Sequence, residues 1–129
     1  MPKVLIVDDD PAMTLALAIR LRAAAFEVLT SNSAHEASPI AVRQRPDVIL
    51  LDIDMPSFSG LEFHECLRNS ERARTIPVIY ISGVDSDTYR RVALQQGARG
   101  FVSKPFDMPK LLAVIQAAIG TSGATLASA

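Results

Sequence analysis

Five polar residues in this 129-residue chain stand at the ends of short apolar runs, and their types belong together chemically. Asp8 and Asp9 follow Val4–Val7, Asp52 follows Val48–Leu51, Ser82 follows Val78–Ile81, and Lys104 lies just beyond Phe101–Val102. Three carboxylates gathered closely repel one another, so such a site demands a cation. The ligands are hard oxygens with no histidine or thiol beside them, a set that suits Mg2+. The Lys104 ammonium adds a fixed positive charge. A metal and an ammonium facing one carboxylate describe a site prepared for a phosphoryl group, where catalysis is mostly positioning and neutralisation of charge. A carboxylate oxygen is itself a competent nucleophile toward phosphorus and gives an acyl phosphate.

These residues meet only if the runs that carry them lie side by side. The runs named above, with a weaker one at Phe26–Leu29, read as five strands, several of them continuous rather than alternating, as strands covered on both faces are. Helical spacing fills the intervals. Asp10 and Pro11 open a first helix, whose inward residues are expected to be Leu15, Ile19 and Leu21. Ser33 to Glu36 reads as a capping box for a second, with Pro39 expected to kink it. Ser59 and Gly60 open a third, with Gly60 serving backbone geometry. Ser86 or Asp87 opens a fourth that Gly97 stops. Asp107 caps a fifth, with Leu111, Leu112, Ile115 and Ile119 facing inward and Gly120 ending it. Five alternations of strand and helix with short connections argue a parallel sheet covered by helices on both faces. Ligands of such sheets collect outside the carboxyl ends of the strands, which is where all five polar residues fall.

Composition bounds the rest. A formal net charge of −1 gives no nucleic-acid surface, and no apolar run approaches the roughly 20 residues of a membrane span. The only cysteine, Cys66, excludes an intramolecular disulfide and fits a reducing, cytoplasmic compartment; it is expected to be a small core residue. His35 and His64 are expected to be exposed, and Arg90, Arg91 and Arg99 to form a solvated face. Residues 1–119 form one domain, and 120–129 are expected to be a flexible tail.

The stretches "VDDD", "LLDIDMPSFSG", "ISG" and "SKPF" together resemble the receiver domain of two-component response regulators, over residues 3 to about 119. The resemblance implies a flavodoxin-like (βα)5 fold with strand order 2-1-3-4-5, of which the chemotaxis member of the family is a type example. It makes Asp52 the phosphoacceptor, Asp9 a direct Mg2+ ligand, Asp8 an acid acting on the metal largely through water, and Asp54 a ligand through its backbone carbonyl. Ser82 is similar to the hydroxyl that binds a phosphoryl oxygen, and Lys104 to the lysine that pairs with the phosphate. The Lys104–Pro105 bond is expected to be cis, and Ser82 and Phe101 to act as the switch. A sensor histidine kinase or histidine phosphotransfer protein would donate the phosphoryl group. A downstream protein would read the surface of the fourth helix, fifth strand and fifth helix, with no direct nucleic-acid contact and no membrane insertion. Asp10 is left to cap the first helix.

The chain departs from the family pattern in four places, one of them Pro39 inside the second helix. Ala24-Ala25-Phe26 stands where glycine is frequent, so a different helix stop is expected, and Asp54 and Val84 would tune phosphoryl hydrolysis. "LLDIDMP" also looks like the DxD signature of haloacid dehalogenase-type phosphohydrolases, a competing reading in which Asp52 serves an enzyme. Against it, that motif normally ends the first strand, Pro56 replaces its Thr or Val, and the chain is short for that fold.

Overall fold

Val4, Leu5, Ile6 and Val7 are all at most 1% exposed, although successive strand residues point to opposite faces. Only a strand covered on both sides can hide every residue in this way. The computed structural model describes residues 1–54, 60–84, 86–120 and the backbone of 127–128. It shows β1 (Lys3–Val7), α1 (Pro11–Ala23), β2 (Glu27–Ser31), α2 (Ala34–Gln44), β3 (Val48–Asp52) and α3 (Gly60–Arg68). There follow β4 (Val78–Ser82), α4 (Asp87–Gln95), β5 (Gly100–Ser103), α5 (Met108–Gly120) and the two-residue β6 (Ala127–Ser128). The sheet is wholly parallel, in the order β2-β1-β3-β4-β5-β6. Its first five strands thus have the flavodoxin-like order 2-1-3-4-5. β3 and β4 are buried throughout, whereas β2 is only partly covered, with Glu27 and Thr30 exposed, which is why its signal in the sequence is weaker. Ser59 and residues 121–126 and 129 of the expected tail lie outside the described residues; Ala127–Ser128 pair with Gly100 and Phe101 of β5.

Two cores flank the sheet. Ile6, Leu50, Ile79 and Val102 pack against Leu17 and Leu21 of α1 and Leu111 and Ile115 of α5. On the other face Leu5, Ile49, Tyr80 and Phe101 meet α2, α3 and α4 through Ala37, Phe63, Leu67 and Ala93.

The helix starts follow local chemistry. Asp10 Oδ1 accepts from the amides of Ala12 (3.0 Å) and Met13 (3.2 Å), with Pro11 at the first turn. Ser33 and Ser86 cap α2 and α4 through the amides of Glu36 and Tyr89. α2 runs through Pro39 without ending. At the end of α1, Ala25 takes φ 71° while the Phe26 amide returns to the Leu21 carbonyl at 3.1 Å. The left-handed stop that glycine usually provides is therefore made by alanine, at a cost of about 1 kcal/mol.

Three expectations are corrected. Leu15 and Ile19 are 60% and 58% exposed, and α1 buries Thr14, Leu17, Ala18 and Leu21 instead. α1 is apolar nearly all round, so hydrophobic spacing cannot select its inward face. Cys66 is exposed, because α3 turns Phe63, His64 and Leu67 to the sheet. His64 is consequently buried rather than exposed, its Nδ1 lying 2.6 Å from the Tyr80 hydroxyl.

Candidate functional site

The carboxyl ends of the strands bring the acids together. Asp8 continues β1, its amide donating to the Ser31 carbonyl at 3.1 Å, and its carboxylate then accepts the Asp10 amide at 3.0 Å. Asn32 Nδ2 donates to the Asp8 carbonyl at 2.7 Å and to Thr14 Oγ1 at 3.1 Å, tying the turn after β1 to the end of β2 and to α1. Asp52 ends β3 and accepts the Asp54 amide on Oδ1 at 2.9 Å. Ligand atoms of Asp8, Asp9 and Asp52 all lie within 4.8 Å of one another; Asp8 and Asp52 are buried and Asp9 is exposed.

Lys104 reaches into this cluster from the end of β5. Its Nζ is 3.2 Å from Asp8 Oδ2 and 3.6 Å from Asp52 Oδ2, its amide donates to the Ser82 carbonyl at 2.8 Å, and its bond to Pro105 is cis. Burial alone would lower the pKa of Lys104, but the carboxylates of Asp52 and Asp8 outweigh it and hold the ammonium above its usual range. Burial pushes the Asp52 carboxyl up to about 6, with the Asp8 charge acting in the same direction against the Asp54 amide and the Lys104 ammonium.

Among the described residues, three carboxylates face the one Lys104 ammonium, an excess of two negative charges. All the donors are carboxylate oxygens, and one of the three acids faces solvent. That donor set fits a hard divalent cation that keeps part of its water shell.

Ser82 is fully buried at the end of β4, and Asp54 turns its side chain toward it. Val84, 47% exposed, contributes its amide to Ser82 Oγ at 2.9 Å. Phe101 is fully buried beside Tyr80 in the sheet, with the Arg90 guanidinium 4.9 Å from the centre of its ring. Gly60 opens α3 directly against the acceptor strand. A Cβ there would stand 2.8 Å from the Asp52 carbonyl oxygen and 3.1 Å from Ile53 Cα.

The structure thus gathers Asp8, Asp9, Asp52, Asp54, Ser82 and Lys104 at one edge, with Val84 at the rim and Phe101 inside the adjoining core. Sequence reasoning missed Asn32 and Thr14, and it placed Arg90 on a solvated face, whereas Arg90 is half-buried against the Phe101 ring. Asn32 could have been found as a polar residue just past a strand end; Thr14 and the Arg90 contact carry no local signal.

A parallel sheet whose first five strands run 2-1-3-4-5, with an acidic cluster where β1 and β3 end, defines a flavodoxin-like fold with a candidate metal site, and comparison with known proteins places it in a family. The response regulator receiver domain family matches residues 4–116. Protein PilH of Pseudomonas aeruginosa is 33% identical over 119 residues, covering 92% of this chain and 98% of PilH. The chemotaxis protein CheY4 of Vibrio cholerae has a solved structure with TM-score 0.86 and 31% identity, covering 92% of this chain and 98% of that one. The receiver domain of a Pseudomonas aeruginosa sensor histidine kinase, solved with a magnesium ion coordinated in its active-site cleft, gives TM-score 0.84 at 28% identity, covering 93% and 98%. Several other curated relatives are longer, and the chain spans about half of their length, as with 48% of the regulator RpaA of Synechocystis. The chain belongs to the response regulator receiver domain family of two-component signalling, a family of switches rather than metabolic enzymes. Among the described residues no helix is long and apolar enough to cross a membrane.

Proposed function

We propose that the protein is a cytoplasmic phosphoacceptor switch in which Asp52 takes a phosphoryl group from a histidine kinase or a histidine phosphotransfer protein. The observation that carries this reading is the position of Lys104 between Asp8 and Asp52, at the centre of a cluster in which, among the described residues, three acids face one ammonium. An Asp52 oxygen attacks phosphorus, the P–N bond of the donor phosphohistidine breaks, and the leaving imidazole regains its ring nitrogen lone pair. Asp8, Asp9, Asp52 and the Asp54 backbone carbonyl would hold Mg2+, which neutralises the converging carboxylate and phosphoryl charges when bound. Lys104 pairs with one phosphoryl oxygen, and the Ser82 hydroxyl donates to another.

The new phosphoryl charge and its acceptor oxygens bias the β4–α4 region through Ser82 and, through the neighbouring strand, Phe101. A downstream protein reads the α4–β5–α5 surface. Asp54 and Val84 set the lifetime of the phosphoryl group. In the competing phosphohydrolase reading Asp54 would be the second acid of a DxD pair; its carboxylate is instead bonded to Ser82 and Gly83 of β4 and its loop. The test is labelling with acetyl phosphate in Mg2+, read as intact mass. The expected result is one phosphoryl group per chain, lost completely in Asp52→Asn. Full labelling of that variant overturns the assignment.

A further inference from the structure

The Ser82 hydroxyl has a single hydrogen to give, and Asp54 already takes it. Ser82 Oγ lies 2.9 Å from Asp54 Oδ1 and 3.1 Å from Oδ2. The Gly83 amide donates to the same Oδ2 at 2.8 Å, so two donors from the end of β4 converge on one carboxylate. The Val84 amide donates to Ser82 Oγ at 2.9 Å and occupies its accepting side. The hydroxyl is thereby oriented in one sense, receiving from Val84 and giving to Asp54.

An oxygen atom bearing negative charge, bound by a hydroxyl and a backbone amide, is chemically what a phosphoryl group on Asp52 would present to this loop. Asp54 is well placed to imitate it. It lies two residues past Asp52, and its own amide is bonded to Asp52 Oδ1 at 2.9 Å. We propose that the Asp54 carboxylate is an internal occupant of the phosphoryl-oxygen site, so that phosphorylation of Asp52 proceeds by exchange: the phosphoryl oxygen takes the Ser82 and Gly83 donors, and the carboxylate moves out to solvent. The inference rests on the reading of Asp52 as phosphoacceptor.

Two physical effects enforce the exchange. The Ser82 hydrogen cannot serve a phosphoryl oxygen while it serves Asp54. A phosphoryl group of charge about −2 beside a carboxylate also adds like-charge repulsion. The outgoing side chain has somewhere to go, because Asp54 is an exposed residue even while it makes these bonds. Asp54 therefore acts as a brake on the switch, raising the donor concentration needed to fill the site. It is a positioning residue: it touches the loop donors, and it acts on the phosphoryl group by yielding them.

The experiment titrates the nitrogen-15-labelled full chain with fluoroberyllate in Mg2+, following the Ser82 and Gly83 amide resonances, and repeats it with Asp54→Ala, Asp54→Asn and Asp52→Asn. Losing one charge-assisted bonding partner from the competitor is expected to tighten fluoroberyllate binding by roughly tenfold in Asp54→Ala. Asp54→Asn, which keeps an acceptor oxygen without the charge, is expected to fall between that variant and the wild type. The Gly83 amide of Asp54→Ala is expected to move upfield before any fluoroberyllate is added. Binding by Asp54→Ala that equals or is weaker than the wild type overturns the inference and leaves the phosphoacceptor reading intact. Absence of binding by the wild type and by both Asp54 variants alike overturns that reading and the inference with it.

Discussion

Asp52 and His64 are almost equally hidden, at 3% and 5% exposure, yet their surroundings differ in kind. Burial pushes each toward its neutral form, raising the Asp52 carboxyl to about 6 and lowering the His64 imidazole to about 4. Around His64 the response lies within the fold. Its Nδ1 meets the Tyr80 hydroxyl at 2.6 Å, the two rings pack edge to face at 5.4 Å, and burial holds the Tyr80 phenol protonated. The nearby Arg68, whose charge adds to the lowering of His64, spends a guanidinium nitrogen on the Gln96 carbonyl at 2.6 Å. Around Asp52 the response is incomplete, since two further acids share its space and Lys104 is the cation bridging Asp8 and Asp52. A buried polar group that finishes its own hydrogen bonds stiffens the fold. One that leaves charge over is equipped to bind something.

The largest expected effect breaks the finished side of the comparison. His64→Ala leaves a cavity and a buried Tyr80 hydroxyl without its partner, which should cost about 3 kcal/mol in urea unfolding. A cost under about 1 kcal/mol would mean that the pair is not a structural tie. The opposite sign is expected at the unfinished side. Asp52→Asn removes a carboxylate held against its preference, so in metal-free buffer at neutral pH it should stabilise by about 1–2 kcal/mol. Destabilisation would show that the acids are balanced within the fold.

The smallest effect is a pH slope. Folded Asp52, raised from 3.8 to about 6, holds protons that the unfolded chain releases, so its contribution to stability is lost as pH rises through that window. Folded His64, lowered from 6.5 to about 4, refuses protons that the unfolded chain takes, so its contribution is lost as pH falls through its own window. The two oppose one another between about 4 and 6. Metal-free wild type should therefore unfold at a nearly constant urea midpoint across that range. The midpoint should rise with pH in Asp52→Asn and fall with pH in His64→Gln. Parallel slopes in the two variants would dissolve the contrast.

The same contrast explains what was legible in advance. The acidic edge could be read because Asp8, Asp9, Asp52, Ser82 and Lys104 each end an apolar run, and a parallel sheet brings such ends to one side. The central strands could be read because burial on both faces leaves a continuous apolar stretch, as in Val48–Leu51. The His64–Tyr80 pair could not, since its partners are 16 residues apart on different elements and neither belongs to a motif. The Asp54 contact to Ser82 spans 28 residues and depends on where β3 and β4 stop relative to one another. The inward face of α1 was hidden by an excess of apolar residues, and the exposure of Cys66 by the choice of a histidine for the buried position beside Phe63.

The close approach at Gly60 has a consequence for how this sequence can vary over generations. The smallest possible side chain, a single methyl, would collide with the backbone that carries Asp52 and Ile53. Neighbouring Glu62, Glu65 and Cys66 face solvent and can be exchanged with little penalty. Tolerance to mutation on α3 therefore differs by face, wide at the solvent side and narrow at Phe63, His64 and Leu67, and its strictest point is Gly60, where the helix abuts the acceptor strand.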